Sequence, residues 1–363
     1  MGRFFCWRVM EINDQYFMKI AIDQAKQATA TWQNPQVGAV VVKDGEILAS
    51  GHTQRFGGPH AERDALTKLT SAQTQGATLY VTLEPCNHYG KQPPCTQLII
   101  DRGIKRVVIA ETDPHSLVTG KGIAQLRQHG ITVVIGVSEQ AAAQVNPHYN
   151  FFFRHGRPWI TLKQAISLDH RVSAGPGQRT VITNRAVYDR VHQERARFQG
   201  IVIGSTTAIV DNPTLVPQPQ PAFMPVRIVL DRRGRLADHP QLKLLHDGLA
   251  PTWVFTASPT LADRLSATTA RVFCLPTCGV EEVVAAVAKE GLQSLYVEGG
   301  PTIHRAFAAA DLVEEVTTYI GPQMLGQNGV AAFTPPVPWS FVDRQVELLG
   351  DNVRITERKQ EHV

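Results

Sequence analysis

Apolar residues at Tyr16, Phe17, Ile20, Ala21 and Ala25 recur at helical spacing, and Asn13 or Asp14 can cap the helix they predict. The pattern then changes period. Two β-rich runs, 37–42 and 46–49, flank Lys43-Asp44-Gly45, and an Asp-Gly between such runs predicts a hairpin. Further on the pattern predicts a helix over 61–69, a strand over 77–83 and a helix over 95–101. A strand over 106–110, a helix over 122–128 and a strand over 131–136 complete the series. Alternation of this kind predicts an α/β fold, with helices packed on a largely parallel sheet.

Near 146–157 the texture shifts. Pro147, three consecutive phenylalanines and Arg154-His155-Gly156-Arg157-Pro158 separate two units, expected at 1–150 and 151–363. The phenylalanines read as a packing face rather than a ligand site. The second unit alternates again: strands are predicted over 159–164, 200–204, 226–230, 253–256, 272–275, 294–297, 313–320 and 353–356. Helices are predicted between them over 186–198, 205–210, 281–290 and 302–309. No repeat of solenoid period is present.

The stretch from His60 to Cys95 carries the clearest chemistry. It reads P-H-A-E-R-D-A-L and then V-T-L-E-P-C-N-H-Y-G-K-Q-P-P-C. His60, Cys86 and Cys95 supply three metal ligands, the number a catalytic zinc takes while leaving a position for water. Water on such a zinc becomes a nucleophile near neutral pH, and Glu62 can shuttle its proton without being a ligand. The signature H-x-E followed by P-C-x-x-C marks zinc nucleobase deaminases. This chain matches it except that eight residues, not two, separate the cysteines. The competing readings are buried core thiols or a closed structural zinc with His88 as fourth ligand. Neither gives Glu62 a role.

Composition narrows the field without changing it. The 363 residues are 43% hydrophobic and 19% charged, and 36 basic against 32 acidic side chains leave a net charge of +4. Nothing clusters the basic residues into the footprint of a nucleic-acid partner. Of five cysteines, two are claimed by the metal, and Cys6, Cys274 and Cys278 show no disulfide framework, so a reducing cytoplasm is expected. The start, Met1 to Met10, has no apolar run long enough for a signal peptide or a membrane span and reads as an extension before the first helix. In the second unit Glu298-Gly299-Gly300-Pro301-Thr302 sits at a strand-to-helix turn, where glycines and a helix N-terminus suit a phosphate. A tight turn without ligand is the competing reading. No G-x-G-x-x-G supports a standard dinucleotide fold.

The run T-L-E-P-C-N-H-Y-G-K-Q-P-P-C, with upstream N-P-x-V-G and H-A-E, resembles the bifunctional riboflavin-biosynthesis deaminase-reductases. The resemblance covers the chain beyond its first dozen residues. It implies a cytidine-deaminase-like three-layer domain followed by a dihydrofolate-reductase-like domain using NADPH. It implies a small-molecule substrate, a pyrimidine ribosyl phosphate whose 2-amino group is removed before its ribosyl chain is reduced to ribityl. No nucleic-acid or membrane partner is expected, and a homo-oligomer is.

By matching positions, His60, Cys86 and Cys95 would hold zinc, Glu62 would move protons, and Asn34, Lys91 and Asp113 would meet the deaminase substrate. In the second domain Ala165, Thr207, Asp211, Gly300, Pro301 and Thr302 would bind NADPH. Lys163, Asp169, Arg195, Leu215 and Glu298 would face the reductase substrate. The chain departs from the family pattern in having His170 where Gly is usual after S-L-D, and Val181 where Trp is usual. Arg179 stands where a small polar residue is common, and no Arg follows Leu215 in Val216-Pro217-Gln218. In the first domain Asp113-Pro114-His115-Ser116 replaces Asp-Pro-Asn-Pro. The rival functions are a deaminase with an impaired reductase half, a tRNA base deaminase, which would want a basic groove and the short spacer, and a non-enzymatic zinc module.

Overall fold

The computed structural model of the chain describes residues 2–90 and 92–360, with the backbone alone for residues 2–13. Two compact units divide between Gly156 and Arg157. The expected boundary at 150/151 falls inside the helix Pro147–His155, which carries the three phenylalanines. That helix ends at Gly156, whose φ of 69° is a left-handed cap.

The first unit is built on five strands: β1 (Gly38–Lys43), β2 (Glu46–His52), β3 (Thr78–Leu83), β4 (Arg106–Glu111) and β5 (Thr132–Ile135). They order as β2-β1-β3-β4-β5, antiparallel across β2, β1 and β3 and parallel from β3 to β5. The predicted hairpin joins β1 to β2, with Asp44 at φ 52° and Gly45 at φ 84°, the left-handed pair such a turn demands. On one sheet face, Val41, Leu79 and Ile109 pack under the helices Ala61–Leu66, Cys95–Asp101 and Lys121–Gln128. On the other, Val40, Tyr80 and Val108 meet Phe17, Met18 and Ala21. These are the three layers expected.

Helix capping at residue 13 or 14 is not what forms. The first helix runs Gly2–Ala25, so Asn13 and Asp14 lie within it, and so does most of the expected extension. Asp14 serves tertiary structure instead: its carboxylate accepts two hydrogen bonds from Arg106 (2.8 and 2.6 Å) and one from Tyr80 (2.7 Å). A buried carboxylate needs such partners, and strands β3 and β4 supply them.

The second unit holds nine strands in the order β11-β10-β9-β8-β12-β6-β13-β16-β15. In chain order these are β6 (Trp159–Ile166), β8 (Gly200–Gly204), β9 (Val226–Leu230), β10 (Thr252–Thr256), β11 (Arg271–Cys274), β12 (Ser294–Val297), β13 (Glu315–Ile320), β15 (Phe341–Leu349) and β16 (Asn352–Lys359), while β7 (Arg171–Ser173) pairs with β14 (Val330–Ala331) in a separate ribbon. From β11 to β13 every neighbour is parallel, and β16 and β15 close one edge antiparallel. Parallel strands point their C-terminal ends the same way. Glu298 and Gly300 follow the C-terminal end of β12 and Thr207 follows that of β8, the end at which open α/β sheets bind ligands, while Lys163 and Ala165 lie within β6.

Arg227 on β9 shows how this sheet pins its connections. Fully buried, its guanidinium donates to Asp247 (2.8 Å) and to the carbonyls of Thr214, Leu244 and Ala250. It thereby anchors the connection that follows the helix Ser205–Asp211. Strand β15 was not predicted. Its alternation places Val342, Val346 and Leu348 outside among Asp343, Arg344 and Glu347, so no buried face marks it.

Candidate functional sites

His60 precedes the helix Ala61–Leu66 and Cys95 opens the helix Cys95–Asp101, so both stand at helix starts beside the end of β3. Cys86 follows β3 by two residues beyond Glu84. The backbone N–H of Cys95 donates to Cys86 Sγ (3.4 Å) and that of Thr96 to the Cys86 carbonyl (3.2 Å). The eight-residue spacer thus closes a loop that returns its second cysteine to the first. Close packing sets the positions: a Cβ on Gly122 would come within 2.1 Å of the Pro85 carbonyl oxygen, and one on Gly51 within 2.5 Å of Ala65 N. Only glycine lets the strand and loop sit this near the helices.

Among the described residues the ligand atoms of His60, Cys86 and Cys95 lie within 4.8 Å of one another. His60 Nδ1 is 3.5 Å from each sulfur. A tetrahedral zinc with bonds of about 2.0 Å to nitrogen and 2.3 Å to sulfur would separate them by about 3.6 Å. The donor set fits. The Cys95 hydrogen bond and the His60 imidazole hold the Cys86 thiol down to about 4, so a thiolate ligand is at hand at neutral pH. Glu62 is not in the ligand group. Only 3% exposed, it has its carboxyl pushed up by burial and then by the nearby Cys86, the direction a proton carrier needs. His88 is exposed and likewise outside the group.

A cavity of about 330 Å³ opens onto this cluster, a size suited to a small ligand. Asn34 and Asp113 line it, with Phe56, Tyr149 and Phe153 as apolar and aromatic wall. Lys91 lies outside the described residues. Asp113 accepts hydrogen bonds from the Tyr149 hydroxyl (3.0 Å) and the His115 N–H (2.8 Å). Burial nevertheless pushes its carboxyl to about 6. The native state then holds the proton more tightly than the unfolded chain. That contribution is complete below about pH 4 and is lost as pH rises through about 6. In urea unfolding, Asp113→Asn should gain on wild type across that window and keep a constant gap above it. A gap that is flat throughout would refute the raised carboxyl.

Two neighbours of this site were invisible in the sequence. Glu84, in the E-P-C run, accepts the N–H groups of Gly120, Gly122 and Ile123 (3.0–3.2 Å) and so ties the helix Lys121–Gln128 to the metal loop. Tyr149 reaches Asp113 from the last helix of the unit. Both pairings span more than thirty residues, and no local pattern announces them.

In the second unit Lys163, Arg195 and Glu298 come together. Arg195, the last residue of the helix Arg185–Arg195, grips both oxygens of Glu298 (2.6 and 3.0 Å), and Lys163 Nζ on β6 lies 3.7 Å away. Burial opposes ionisation of Glu298, but Arg195 and Lys163 outweigh it and hold the carboxyl at about 2. The preceding residue, Glu194, accepts from Tyr296, Tyr319 and Arg354 (2.5–2.7 Å), which seats the helix end on the sheet. Sequence reading missed Glu194, which looks like any charged helix residue.

The remaining positions divide. Ala165 lies on β6, Thr207 and Asp211 on the helix Ser205–Asp211 after β8, and Pro301 and Thr302 begin the helix Pro301–Ala309 after β12. No side chain caps that helix at Gly300, and a Cβ there would meet open space, so its first turn suits an anion such as a dinucleotide phosphate. Asp211 has its carboxyl raised by burial, against the opposing fields of Arg179 and Lys163. Leu215 packs in the core under this helix at φ 56°. Asp169 turns to its own surroundings: it accepts from Ser167 Oγ (2.5 Å) and from the N–H groups of Leu325 and Gly326. His170 sits at φ 61°, a conformation that explains why glycine is usual there.

The comparisons with known proteins agree with this division. Residues 11–111 match the cytidine and deoxycytidylate deaminase zinc-binding region, and residues 158–353 match the RibD C-terminal domain. Riboflavin biosynthesis protein RibD of Bacillus amyloliquefaciens is 41% identical over 320 residues, covering 86% of this chain and 85% of that protein. The structure of Acinetobacter baumannii RibD in its form 2 superposes with a TM-score of 0.87 at 32% identity, covering 97% of this chain and all of the other. A Thermotoga maritima diaminohydroxyphosphoribosylaminopyrimidine deaminase/5-amino-6-(5-phosphoribosylamino)uracil reductase does so at 0.82 and 33%, over the same shares. The cytidine-deaminase-like and dihydrofolate-reductase-like architectures expected for the two units are thereby shown. With both halves matched in order, the chain belongs to the RibD family of riboflavin biosynthesis proteins, which join a zinc-binding deaminase domain to a reductase domain.

Proposed function

We propose that the first unit hydrolyses the 2-amino group from 2,5-diamino-6-(5-phosphoribosylamino)pyrimidin-4(3H)-one, and that the second reduces the ribosyl chain of the product to ribityl with NADPH. The convergence of His60, Cys86 and Cys95 beside buried Glu62, at the floor of a cavity, carries this reading. His60, Cys86 and Cys95 would hold a zinc, which when bound would supply an activated water. Glu62 takes the proton from the attacking water and passes it to the exocyclic nitrogen. The C–N bond then breaks, ammonia leaves, and the ring carbon keeps the oxygen. Asn34, with no side-chain partner among the described residues, presents its amide to the ring, and Asp113 borders the same space. Lys91, in the spacer, reaches the substrate.

In the second unit bound NADPH would supply the hydride. Gly300, Pro301 and Thr302 receive its phosphates, with Ala165, Thr207 and Asp211 alongside. Lys163, Arg195 and Glu298 form a charged group for the reductase substrate, whereas Asp169 and Leu215, which the resemblance also implies, are taken up by hydrogen bonds to Leu325 and Gly326 and by core packing. The impaired-reductase alternative rests on the absence of an arginine in Val216-Pro217-Gln218. An assay of the full chain on the diaminopyrimidine phosphate, with zinc analysis, decides. Ammonia release without NADPH, then NADPH oxidation once the product forms, supports both halves. Release without oxidation supports the alternative. A zinc-loaded protein that releases no ammonia sinks the deaminase reading.

A homo-oligomer in the cytoplasm is part of the same proposal. Val342, Val346 and Leu348, each more than 60% exposed on edge strand β15, form an apolar edge that a second copy would cover. Light scattering at the mass of one 40.0 kDa chain would contradict it. The free cysteines Cys86, Cys95, Cys274 and Cys278 fit a reducing compartment. Among the described residues no helix is long and apolar enough to cross a membrane.

A further inference from the structure

His192 lies on the helix Arg185–Arg195, one turn before Arg195, whose guanidinium grips Glu298 (2.6 and 3.0 Å). Residues three and four apart share a helix face, so Tyr188, His192 and Arg195 form one stripe. Only 5% of His192 is exposed. One end of its imidazole is engaged, because the Val216 backbone carbonyl accepts from it. The other end is not: among the described residues Nδ1 is buried with no hydrogen-bond partner. Burial, and then the Arg195 charge, hold the ring below the ordinary histidine pKa, so it is neutral at neutral pH. With the proton on the nitrogen that faces Val216, Nδ1 carries a bare lone pair.

A buried acceptor without a donor costs free energy that a bound donor restores. If His192 only tied the segment after Leu215 to the helix, Nε2 alone would serve and the lone pair would have no use. Its surroundings point to a ligand instead. The Arg195, Glu298 and Asp189 charges all act on it, and the first two belong to the charged group beside Lys163. Tyr188 stacks on the imidazole, ring centroids 4.3 Å apart, and is itself 46% exposed, so it can turn outward and open Nδ1. What binds there must donate a hydrogen. A phosphate group offers acceptor oxygens and goes to cations such as Lys163 and Arg195. A sugar hydroxyl donates, and in a ribosyl phosphate it stands close to the phosphate.

Resting on the reductase reading above, we infer that His192 Nδ1 accepts a hydrogen bond from a ribosyl hydroxyl of the reductase substrate, which makes His192 a specificity-determining residue of the second unit. Two substitutions separate this from a mere tether. In His192→Asn the amide oxygen takes the place of Nδ1 and the reach to Val216 is lost. In His192→Gln the amide nitrogen reaches where Nε2 does and the acceptor nearer the backbone is lost. Full-length protein is assayed for NADPH oxidation on supplied deaminated product and on its 2′-deoxyribosyl and 3′-deoxyribosyl analogues. His192→Asn should keep kcat/KM within about threefold, and His192→Gln should lose about tenfold or more, the worth of one buried hydrogen bond. Wild type should lose a similar factor on one of the two analogues, and His192→Gln should treat that analogue and the parent alike. Circular dichroism checks that each variant is folded. Equal losses in the two variants overturn the inference, as does a larger loss in His192→Asn, or an analogue penalty that His192→Gln retains. Wild type that handles all three compounds alike overturns it too, and that comparison needs no variant, so it decides even where a substitution unfolds the helix. Wild type that oxidises no NADPH takes down the reductase reading and this inference with it, whereas failure of the inference alone leaves wild type active.

Discussion

Glu62→Gln should retain zinc at the wild-type stoichiometry and lower deaminase turnover by about 10²–10⁴-fold, the usual range for losing a general acid–base group. Glutamine keeps the shape of a side chain that is almost wholly buried, so the cavity is preserved. What it removes is the carboxyl whose proton affinity burial has raised. Because Glu62 lies outside the His60, Cys86 and Cys95 group, metal content and turnover should separate. Reductase turnover on supplied deaminated product should be unchanged, since that chemistry lies in the other unit. Zinc analysis beside ammonia release makes the measurement. Turnover within a few-fold of wild type would show that another group moves the proton.

Arg195→Met should act on the other half with comparable force. The substitution leaves Glu298 buried with Lys163, 3.7 Å away, as its remaining cation. Breaking a buried pair by removing one partner costs about 3–5 kcal/mol, because a charge stays behind without compensation. In wild type the Glu298 carboxyl is held at about 2, so its contribution is present above its ordinary range, near 4.5, and disappears as pH falls toward 2. The variant should lose that acid-side dependence, and its second unit should unfold at lower denaturant. Loss of a charge-assisted substrate contact, about 1.5–3 kcal/mol, should lower reductase kcat/KM by roughly 10- to 100-fold. Deaminase turnover should not change. An unaltered acid limb of stability in Arg195→Met would show that the pair does not set the state of Glu298.

How much of this was legible beforehand depends on the range of the interaction. The hairpin at Asp44-Gly45 was readable because its conformation is demanded by two adjacent residues. The ordering of strands and helices in both units was readable for a similar reason, since their periods are written in consecutive side chains. The candidate metal ligands were readable through residue type and context. His60 and Cys95 fall at helix starts and Cys86 just after a strand, and only the long spacer left their convergence to be established. The caps proposed at Asn13 and Asp14 were misplaced because capping residues are recognised by type, and an acid inside a helix can have a distant partner instead.

By itself the sequence determined the family, the division into two units and most of their strands and helices, and it picked out His60, Cys86 and Cys95 as candidate metal ligands. Each of these depends on residue type and on spacing along the chain. Tertiary structure alone decided the partners. Asp14 meets Arg106 across 92 positions, Arg195 meets Glu298 across 103, and Arg235 finds Thr206 across 29. It also decided that Asp169 is occupied by Leu325 and Gly326. A buried or crowded charge takes whatever counter-charge the closed chain brings within a few ångströms, and sequence distance places no limit on which residue that is.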